Sequence, residues 1–321
     1  MKAAVYRENG GPEVLSYEDV PDPAPGAGEV LIRVEAISIE GGDFLRRRGV
    51  PPNSNPRIEG YAAAGEVIGL GDGVSELAVG DRVTCWADSG SHAELRTPRA
   101  EHCWRVPAGM DIKAAAVTLI GLGTAGAALF EIGQLKAGQT VLITGAAGGV
   151  GLGAVQLAHQ AGARVFGTGS NAASLEGLRR YGLDEPLVVV DEQPIAERVR
   201  QLTGGRGIDL LVDNVGGPAL QDGLDAVAEG GRGVMVGVIG AISRSIDPFM
   251  LLMRNQALAG FMLPFLMPRP SVRSLIDDIL SRVAAGELEA VVDQVFPLSQ
   301  AAAAHARAEQ RGRIGRVVMT P

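Results

Sequence analysis

The sequence contains few cysteines, few lysines and few aromatic residues. It has two cysteines and three lysines among 321 residues, and aromatic residues make up 4%. Cys85 and Cys103 are too few for a disulfide-rich scaffold or a four-thiolate zinc site, so we expect a reducing compartment. The net charge is −8 and there is no basic block, which argues against an electrostatic nucleic-acid binder.

We also expect no membrane-spanning segment. The most apolar stretch that we identify, 248–267, is interrupted by Arg254 and Asn255. The first residues lack the apolar core of a signal peptide. We therefore expect a cytoplasmic protein with neither a membrane nor a nucleic-acid partner.

The first hundred residues and the middle of the chain have different patterns. Early in the chain, β-branched segments of about five residues alternate with Gly/Pro punctuation, which predicts a small all-β unit. Asp111 is a predicted helix N-cap. After it, short apolar strands such as Thr140–Thr144 alternate with helices such as Ala172–Tyr181 and Ile195–Leu202. This alternation predicts a parallel sheet covered by helices on both faces.

The tail returns to the pattern of the N-terminal β unit. Ser271 to Ala285 has the apolar spacing of an amphipathic helix, and Arg316 to Met319 predicts a strand. We therefore expect the parallel-sheet domain to be inserted within a discontinuous β domain.

The most informative motif is Gly145-Ala-Ala-Gly-Gly-Val-Gly151, which lies directly between a predicted strand and a predicted helix. Glycine removes the Cβ, so backbone amides can approach a pyrophosphate, and the helix N-terminus adds its positive dipole end. In this context the motif indicates a dinucleotide fingerprint, the alternative being a tight turn without a ligand. The predicted cofactor contacts in the loop are Gly145, Ala147, Gly148, Gly149 and Val150.

The end of the next strand favours one cofactor over another. An NAD site carries an Asp or Glu there for the ribose 2′-hydroxyl, but this strand ends in Gly167-Thr-Gly-Ser-Asn171. We therefore expect NADPH, with Ser170 and Asn171 near its 2′-phosphate, and leave NADH open. Arg179 either supplies charge to that phosphate or lies on a solvated helix face.

Further motifs accompany the glycine motif along nearly the whole chain. They are Met1-Lys-Ala-Ala-Val-Tyr6, Gly80-Asp-Arg-Val83, Leu135-Lys-Ala-Gly-Gln-Thr-Val-Leu142, Ala154-Val-Gln-Leu-Ala158 and Asp209-Leu-Leu-Val-Asp-Asn-Val-Gly216. In this order they resemble the medium-chain dehydrogenase/reductase superfamily, and within it the zinc-independent quinone oxidoreductase branch, the zeta-crystallin-like proteins.

The resemblance implies an α/β fold with a Rossmann doubly wound parallel sheet inserted in a discontinuous GroES-like β-barrel domain. It implies that NADPH and substrate meet in a cleft between these domains. Dimers and tetramers are both common in the family, and we expect a homodimer. We place the first part of the GroES-like domain at 1–122, the Rossmann domain at 123–260 and the return at 261–321.

The resemblance also assigns cofactor contacts by matched position. Thr124 matches a segment beside the nicotinamide and pyrophosphate, and Asn214 and Gly216 match the end of the fourth strand. The remaining matched positions are Val238, Ile239 and Gly240 facing the carboxamide, Phe261 lining the cleft, and Arg316 at a basic position near the cofactor.

Zinc-binding relatives carry Gly-His-Glu where this chain has Gly60-Tyr61-Ala62, and no cysteine precedes Cys85. A catalytic zinc needs about three converging ligands, so we expect no metal. Without that Lewis acid, the resemblance implies hydride transfer from NADPH to a quinone or an α,β-unsaturated carbonyl compound rather than alcohol oxidation.

Glu40 stands where the family usually carries asparagine. It either relays a proton in a dry site or hydrogen-bonds a backbone amide. We expect the substrate-binding site to be lined by Ile39, Glu40, Tyr61, Trp86 and Phe261. The rings of Tyr61 and Trp86 are equally compatible with packing in the core.

Two other functions are compatible with the same sequence. One is a non-catalytic NADPH-binding protein with a structural or sensing role. The other is an enoyl-thioester reductase, which needs a path for a phosphopantetheine arm that a sequence does not reveal.

Overall fold

The computed structural model describes residues 1–49, 54–189, 193–238 and 246–321. Within this part of the chain, contacts define two compact units. The first unit comprises Met1–Ile120, Ile276–Gln310 and Gly315–Pro321. The second comprises Gly121–Leu275 and Arg311–Ile314, so it continues beyond residue 260 and includes a short segment near the C-terminus.

Strands and helices are numbered along the described chain. The strands are β1 (Lys2–Tyr6), β2 (Ser16–Asp19), β3 (Val30–Ser38), β4 (Arg57–Ile58), β5 (Ala62–Leu70), β6 (Arg82–Trp86), β7 (Leu95–Arg96), β8 (Cys103–Arg105), β9 (Thr140–Ile143), β10 (Arg164–Gly169), β11 (Glu185–Val188), β12 (Ile208–Asp213), β13 (Val227–Met235), β14 (Ala257–Gly260), β15 (Val292–Pro297) and β16 (Arg316–Thr320). The helices are α1 (Gly41–Gly49), α2 (Ile112–Gly126), α3 (Gly149–Gln160), α4 (Ala172–Glu176), α5 (Ile195–Leu202), α6 (Pro218–Ala226), α7 (Pro248–Met253), α8 (Leu263–Leu266), α9 (Pro270–Ala284) and α10 (Ala301–Glu309).

The first unit is built mainly from antiparallel strands. Its larger sheet has the order β15-β16-β3-β5-β6-β8, with β7 paired to β3. Alternate side chains of neighbouring strands point to one face, so Ile32, Val67 and Val83 meet in a buried core. Ala301, Ala304 and Ala308, spaced by three and four residues, place the small face of α10 on this core.

The second unit contains a six-stranded sheet in which every pair is parallel. Its order is β11-β10-β9-β12-β13-β14, which is the 3-2-1-4-5-6 order of a Rossmann sheet when counted from β9. Val141, Leu142 and Ile143 of the central strand are fully buried, as their apolar run predicts. The strand order reverses between β9 and β12, where α/β proteins bind ligands beyond the carboxyl ends of the strands.

Local signals explain most element boundaries. Asp111 accepts hydrogen bonds from the backbone amides of Lys113 and Ala114, at 2.9 and 3.1 Å, and so caps α2 as predicted. The predicted helix 172–181 is wrong as a single element. It ends at Glu176, and Arg179–Tyr181 forms a separate 3₁₀ turn because Gly177 intervenes and Gly182 takes a left-handed conformation with φ of 98°.

One helical stretch is more apolar than the sequence analysis recognised. Ile112–Ile132 is long and apolar enough to cross a membrane by length and composition, but 83% of its most apolar window is buried inside the protein. A mostly buried core helix passes the same test as a membrane span, so this stretch is weak evidence for a membrane.

Candidate functional site

The glycine motif connects the central strand of the parallel sheet to α3. Gly145 has a φ of 61°, a left-handed conformation that glycine adopts without strain. Gly148 is the N-cap of α3 and has no side chain to cap it. The first-turn amides of α3 are therefore available to an anion, and the helix dipole favours negative charge there.

The loop is closed so tightly that it forms a cradle only while its glycines lack side chains. A Cβ at Gly151 would lie 2.3 Å from the carbonyl oxygen of Gly145, and a Cβ at Gly148 would lie 3.3 Å from the same atom. Gly153 allows α3 to approach α2, because its Cβ would lie 3.2 Å from that of Ala125. Thr124, which is almost fully buried, is thereby held close to the first turns of α3.

A buried carboxylate organises the neighbouring strand end. Asp213 accepts hydrogen bonds from the Thr144 hydroxyl at 2.6 Å and from the Gly216 amide at 2.7 Å. Asn214 in turn donates its side-chain amide to the Thr144 carbonyl at 2.8 Å. Burial raises the pKa of Asp213, and these hydrogen bonds act against that rise. Asp213 was not singled out from the sequence, although its place at the end of a buried strand beside Asn214 was the available signal.

Gly216 and Val238 are also neighbours at this edge. Gly216 has a φ of 76°, and a Cβ there would lie 3.0 Å from the Cα of Val238. Phe261 follows β14, whose carboxyl end lies at the same edge of the parallel sheet. The predicted contacts Ile239 and Gly240 lie outside the described residues.

The end of β10 lies beside the glycine loop, because the Ala146 amide donates to the Thr168 carbonyl at 2.9 Å. Ser170 and Asn171 follow that strand end. The Asn171 side chain caps α4 by accepting from the Ser174 amide at 2.8 Å. This bond fixes its orientation at the predicted 2′-phosphate position.

Arg179 lies at the other end of β10. It donates to the Asp184 carbonyl at 2.7 Å and pairs with Glu176 at 2.8 Å. The Asp184 amide donates to the carbonyl of Val165, the second residue of β10, at 3.0 Å. The Val165 amide donates to the Asp184 carboxylate at 2.7 Å. At roughly 3.3 Å per residue, Arg179 is on the order of 15 Å from Ser170, which favours the surface interpretation over the phosphate one.

Two arginines that the sequence analysis did not single out lie closer to this position. Ser174 donates its hydroxyl to the Gly312 carbonyl at 2.8 Å, and a Cβ at Gly312 would lie 3.5 Å from the Asn171 amide nitrogen. Arg311 and Arg313 flank that glycine. The paired arginines around Gly312 were the available signal, but nothing local connected them to a strand end more than a hundred residues earlier.

In the first unit, Glu40 lies in a buried polar cluster. Its carboxylate accepts from the Ser38 hydroxyl at 2.6 Å and pairs with Arg316 at 2.5 Å. Its backbone amide donates to Asp43 at 2.8 Å. Among the residues that the structure describes, no backbone amide donates to the Glu40 carboxylate, whose partners are Ser38 and Arg316. Arg316, expected near the cofactor, is 6% exposed and holds Glu40.

Tyr61 and Trp86 lie at one end of the β5–β6 pair, since Ala62 is the register partner of Trp86. The Tyr61 hydroxyl accepts from the Gly42 amide at 3.3 Å. Burial, followed by the charges of Glu40 and Asp43, raises the pKa of Tyr61 well above its ordinary value. Ile39 packs instead into the apolar core of the first unit, and its amide donates to the Val317 carbonyl at 3.0 Å.

Comparison with known proteins decides the family. Residues 26–141 match the alcohol dehydrogenase GroES-like domain, and residues 149–281 match the zinc-binding dehydrogenase family. The chain is 34% identical to a 2-haloacrylate reductase from Burkholderia sp, over 100% of this chain and 99% of that one. It belongs to the medium-chain dehydrogenase/reductase superfamily, in the quinone oxidoreductase branch.

Solved structures of this superfamily match the whole chain. A mycobacterial protein complexed with NADPH has a TM-score of 0.94 and 32% identity, covering 100% of both chains. An Escherichia coli quinone oxidoreductase complexed with NADPH also has a TM-score of 0.94, with 27% identity and 100% coverage of both chains. The predicted family and fold class are therefore confirmed.

One of the two matched families is described as zinc-binding, which raises the question of whether this chain has side chains that could bind a metal ion. Within the described residues, no three side chains of His, Cys, Asp or Glu converge to hold a metal ion. Cys85 contacts Arg96 and the Ala63 carbonyl, at 3.6 and 3.4 Å.

Proposed function

We propose that this protein is an NADPH-dependent, zinc-free oxidoreductase that transfers hydride to a quinone or an α,β-unsaturated carbonyl compound. The observation that carries the proposal is the glycine loop at the reversal of strand order in the parallel sheet. The relatives are named for quinones and for 2-haloacrylate, acceptors in which a double bond is conjugated to a carbonyl group. NADPH, when bound, supplies the hydride.

The loop residues hold the pyrophosphate. The amides of Gly149 and Val150 open α3, and Gly145, Ala147 and Gly148 let the phosphates approach the backbone. Asp213 orients Asn214 and Gly216 beside them, with Thr124, Val238 and Phe261 as further cofactor contacts. Ile239 and Gly240 stay predictions from the family resemblance.

The 2′-phosphate is recognised by Ser170, Asn171 and the arginines that flank Gly312. The Asn171 side-chain oxygen accepts from the α4 cap, which leaves its NH₂ group, beside Gly312, as a donor. Arg311 and Arg313 supply positive charge that the end of β10 lacks. We leave Arg179 out of the site because it is bonded at the amino end of β10.

The substrate-binding part of the first unit is formed by the Tyr61 and Trp86 rings, which stack on a flat acceptor. Glu40 is a positioning residue: it holds Arg316 and Ser38, and the cluster fixes the Tyr61 hydroxyl. Ile39 is excluded because it packs into the core.

We further propose a cytoplasmic homodimer formed through the second unit. β14 is the last strand on one side of the parallel sheet in the described chain, so one backbone edge is open for pairing. The segments that flank β14 in sequence expose large apolar side chains, namely Phe249, Leu252, Met253, Met262 and Phe265. An exposed apolar patch beside an open strand edge is typical of an interface between copies of a chain.

Steady-state oxidation of NADPH and NADH with quinones, enones, 2-haloacrylates and enoyl thioesters tests the proposal. We expect turnover with NADPH and at least one quinone or conjugated carbonyl compound. Tight NADPH binding without any turnover would favour a structural or sensing role. Turnover restricted to enoyl thioesters would identify an enoyl-thioester reductase instead.

A further inference from the structure

The only two cysteines of the chain face each other across neighbouring strands. Cys85 on β6 and Cys103 on β8 are register partners in an antiparallel pair. Directly opposed residues have Cβ atoms about 4.5–5.5 Å apart, and a disulfide needs about 3.5–4.5 Å. Within the described residues, β8 is the last strand on its side of the sheet, so a small shift toward β6 is opposed by one strand pairing only.

A buried arginine accompanies this pair. Arg96 is 3% exposed and donates to the Cys85 sulfur at 3.6 Å, to the Tyr61 carbonyl at 3.5 Å and to the Ser89 carbonyl at 3.3 Å. Among the described residues, no carboxylate forms an ion pair with Arg96. A buried guanidinium without a counter-charge is unfavourable, and a Cys85 thiolate supplies that charge.

The surroundings of Cys85 act in both directions on its ionisation. Burial raises its pKa, while the Cys103 side chain and the Arg96 charge lower it, and the result is a pKa lowered to about 7. A thiol at Cys85 would donate to the Ala63 carbonyl at 3.4 Å, which is a weak bond. Cys103 donates to the Arg99 carbonyl at 3.5 Å, and this bond keeps it as the thiol of the pair.

Both cysteines are buried, at 0% and 3% exposed, so a hydroperoxide reaches them only when the strand β8 opens locally. We propose that Cys85 and Cys103 form a redox-sensitive dithiol that a hydroperoxide oxidises to a cross-strand disulfide. The Cys85 thiolate attacks one peroxide oxygen, the O–O bond breaks, and the leaving alkoxide takes a proton to become an alcohol or water. The Cys103 thiol then attacks the sulfenic acid at Cys85, the S–O bond breaks and water leaves. Two thiols lose two hydrogens and two electrons, and the hydroperoxide gains them.

Oxidation also removes the counter-charge of Arg96. In the described part of the chain its other acceptors are the carbonyls of Tyr61 and Ser89, so a guanidinium that shifts when Cys85 loses its charge also shifts the backbone at Tyr61. We expect the oxidised enzyme to turn over its acceptor more slowly, a consequence that rests on the proposed function.

Intact mass spectrometry of the full chain treated with hydrogen peroxide at neutral pH tests the dithiol without any activity assay. We expect a loss of about 2 Da that dithiothreitol reverses, on a band that stays monomeric in a non-reducing gel. Cys103→Ser should stop at a sulfenic acid that dimedone traps, and Cys85→Ser should lose no hydrogens. Wild-type protein that keeps both thiols while its methionines oxidise would overturn the proposal.

The role of Arg96 is tested by the rate of that oxidation. Arg96→Gln should slow it about fivefold at neutral pH, because a rise of one unit in a pKa near 7 lowers the thiolate fraction from about one half to about one tenth. Arg96→Lys should restore most of the rate. Arg33→Gln, an exposed arginine of the same unit, is the matched control, and thermal unfolding verifies that each variant folds. Equal rates in all variants would remove Arg96 from the proposal. Unchanged quinone turnover by fully oxidised protein would overturn the coupling to Tyr61.

Discussion

Gly151 has room for a hydrogen but not for a methyl group. The carbonyl oxygen that a Cβ would meet belongs to Gly145, which is backbone and cannot rotate away. The loop therefore keeps the shape that we propose for pyrophosphate binding only if residue 151 has no Cβ.

Gly151→Ala should abolish detectable NADPH binding while the protein still folds, because the displaced loop no longer directs its amides at the phosphates. Fluorescence titration with NADPH measures this. Gly49→Ala is the control, since a Cβ there would meet nothing within 4 Å. Wild-type affinity in the Gly151 variant would contradict the pyrophosphate assignment.

Substitutions of Arg311 and Arg179 should affect the use of NADPH differently. Arg311→Gln should lower kcat/KM for NADPH by about ten- to a hundredfold and leave NADH unchanged, because a charge-assisted bond to phosphate contributes about 1.5–3 kcal/mol. Arg179→Gln, which alters a side chain at the far end of β10, should change neither value. Loss of NADPH preference in the Arg179 variant alone would reverse the assignment.

Glu40 and Arg316 form a buried ion pair, so each side chain is the counter-charge of the other. Glu40→Gln should destabilise the protein by about 3–5 kcal/mol because it leaves the Arg316 guanidinium buried without a counter-charge. Urea unfolding measures the loss. The double variant Glu40→Gln with Arg316→Met should recover part of it, and additive losses would contradict a direct interaction.

At the scale of elements, β14 has no pairing partner on one side among the described strands, and the segments that flank it in sequence expose apolar side chains. Phe265, on α8, is 78% exposed and is the most exposed large apolar residue of the described chain. Burying such side chains in a second copy removes them from water and completes the hydrogen bonding of the edge strand.

Phe265→Asp should convert a dimer into a monomer of about 33.2 kDa, because a charge placed in an apolar interface is left without a partner. Light scattering after size-exclusion chromatography gives the mass. Val79→Asp replaces an apolar residue of the first unit that is 61% exposed and should leave the dimer intact. A wild-type monomer at micromolar concentration would refute the interface.

At the scale of the whole molecule, two buried histidines link the N- and C-terminal parts of the first unit. The ring centroids of His92 and His305 lie 5.0 Å apart. The Nη1 atom of Arg47 lies 2.6 Å from the Nδ1 atom of His305. Burial lowers the pKa of His92 to about 3, with the Arg96 and Arg47 charges acting in the same direction. Burial and the charges of His92 and Arg47 also hold the pKa of His305 well below its ordinary value.

Folded-state pKa values below those of the unfolded chain mean that the unfolded state binds more protons in acid. Stability should therefore fall as the pH drops below about 6.5, by up to about 1.4 kcal/mol per pH unit for each histidine. Urea unfolding between pH 7.5 and 5 measures the slope. His92→Gln should make that slope shallower, and an identical slope in the variant would exclude this histidine as its source.

The sequence by itself determined the periodic elements and the chemistry of the glycine loop. The α5 bounds Ile195–Leu202 agree with the prediction, and so does the Asp111 cap, because burial periodicity and capping are local properties. The Rossmann fold class could be predicted for the same reason, because the strand, the glycines and the helix are adjacent in the chain. The family could be predicted because several motifs follow one another in a recognisable order.

The tertiary structure decided which distant side chains meet. Ser174 and Gly312 are 138 residues apart in sequence, and His92 and His305 are 213 apart. Arg179 is close to Ser170 in sequence but distant in space, because α4 and the turn after it carry the chain from the carboxyl end of β10 back to its amino end. Such pairings are set by packing of whole elements, and no local pattern of residues encodes them.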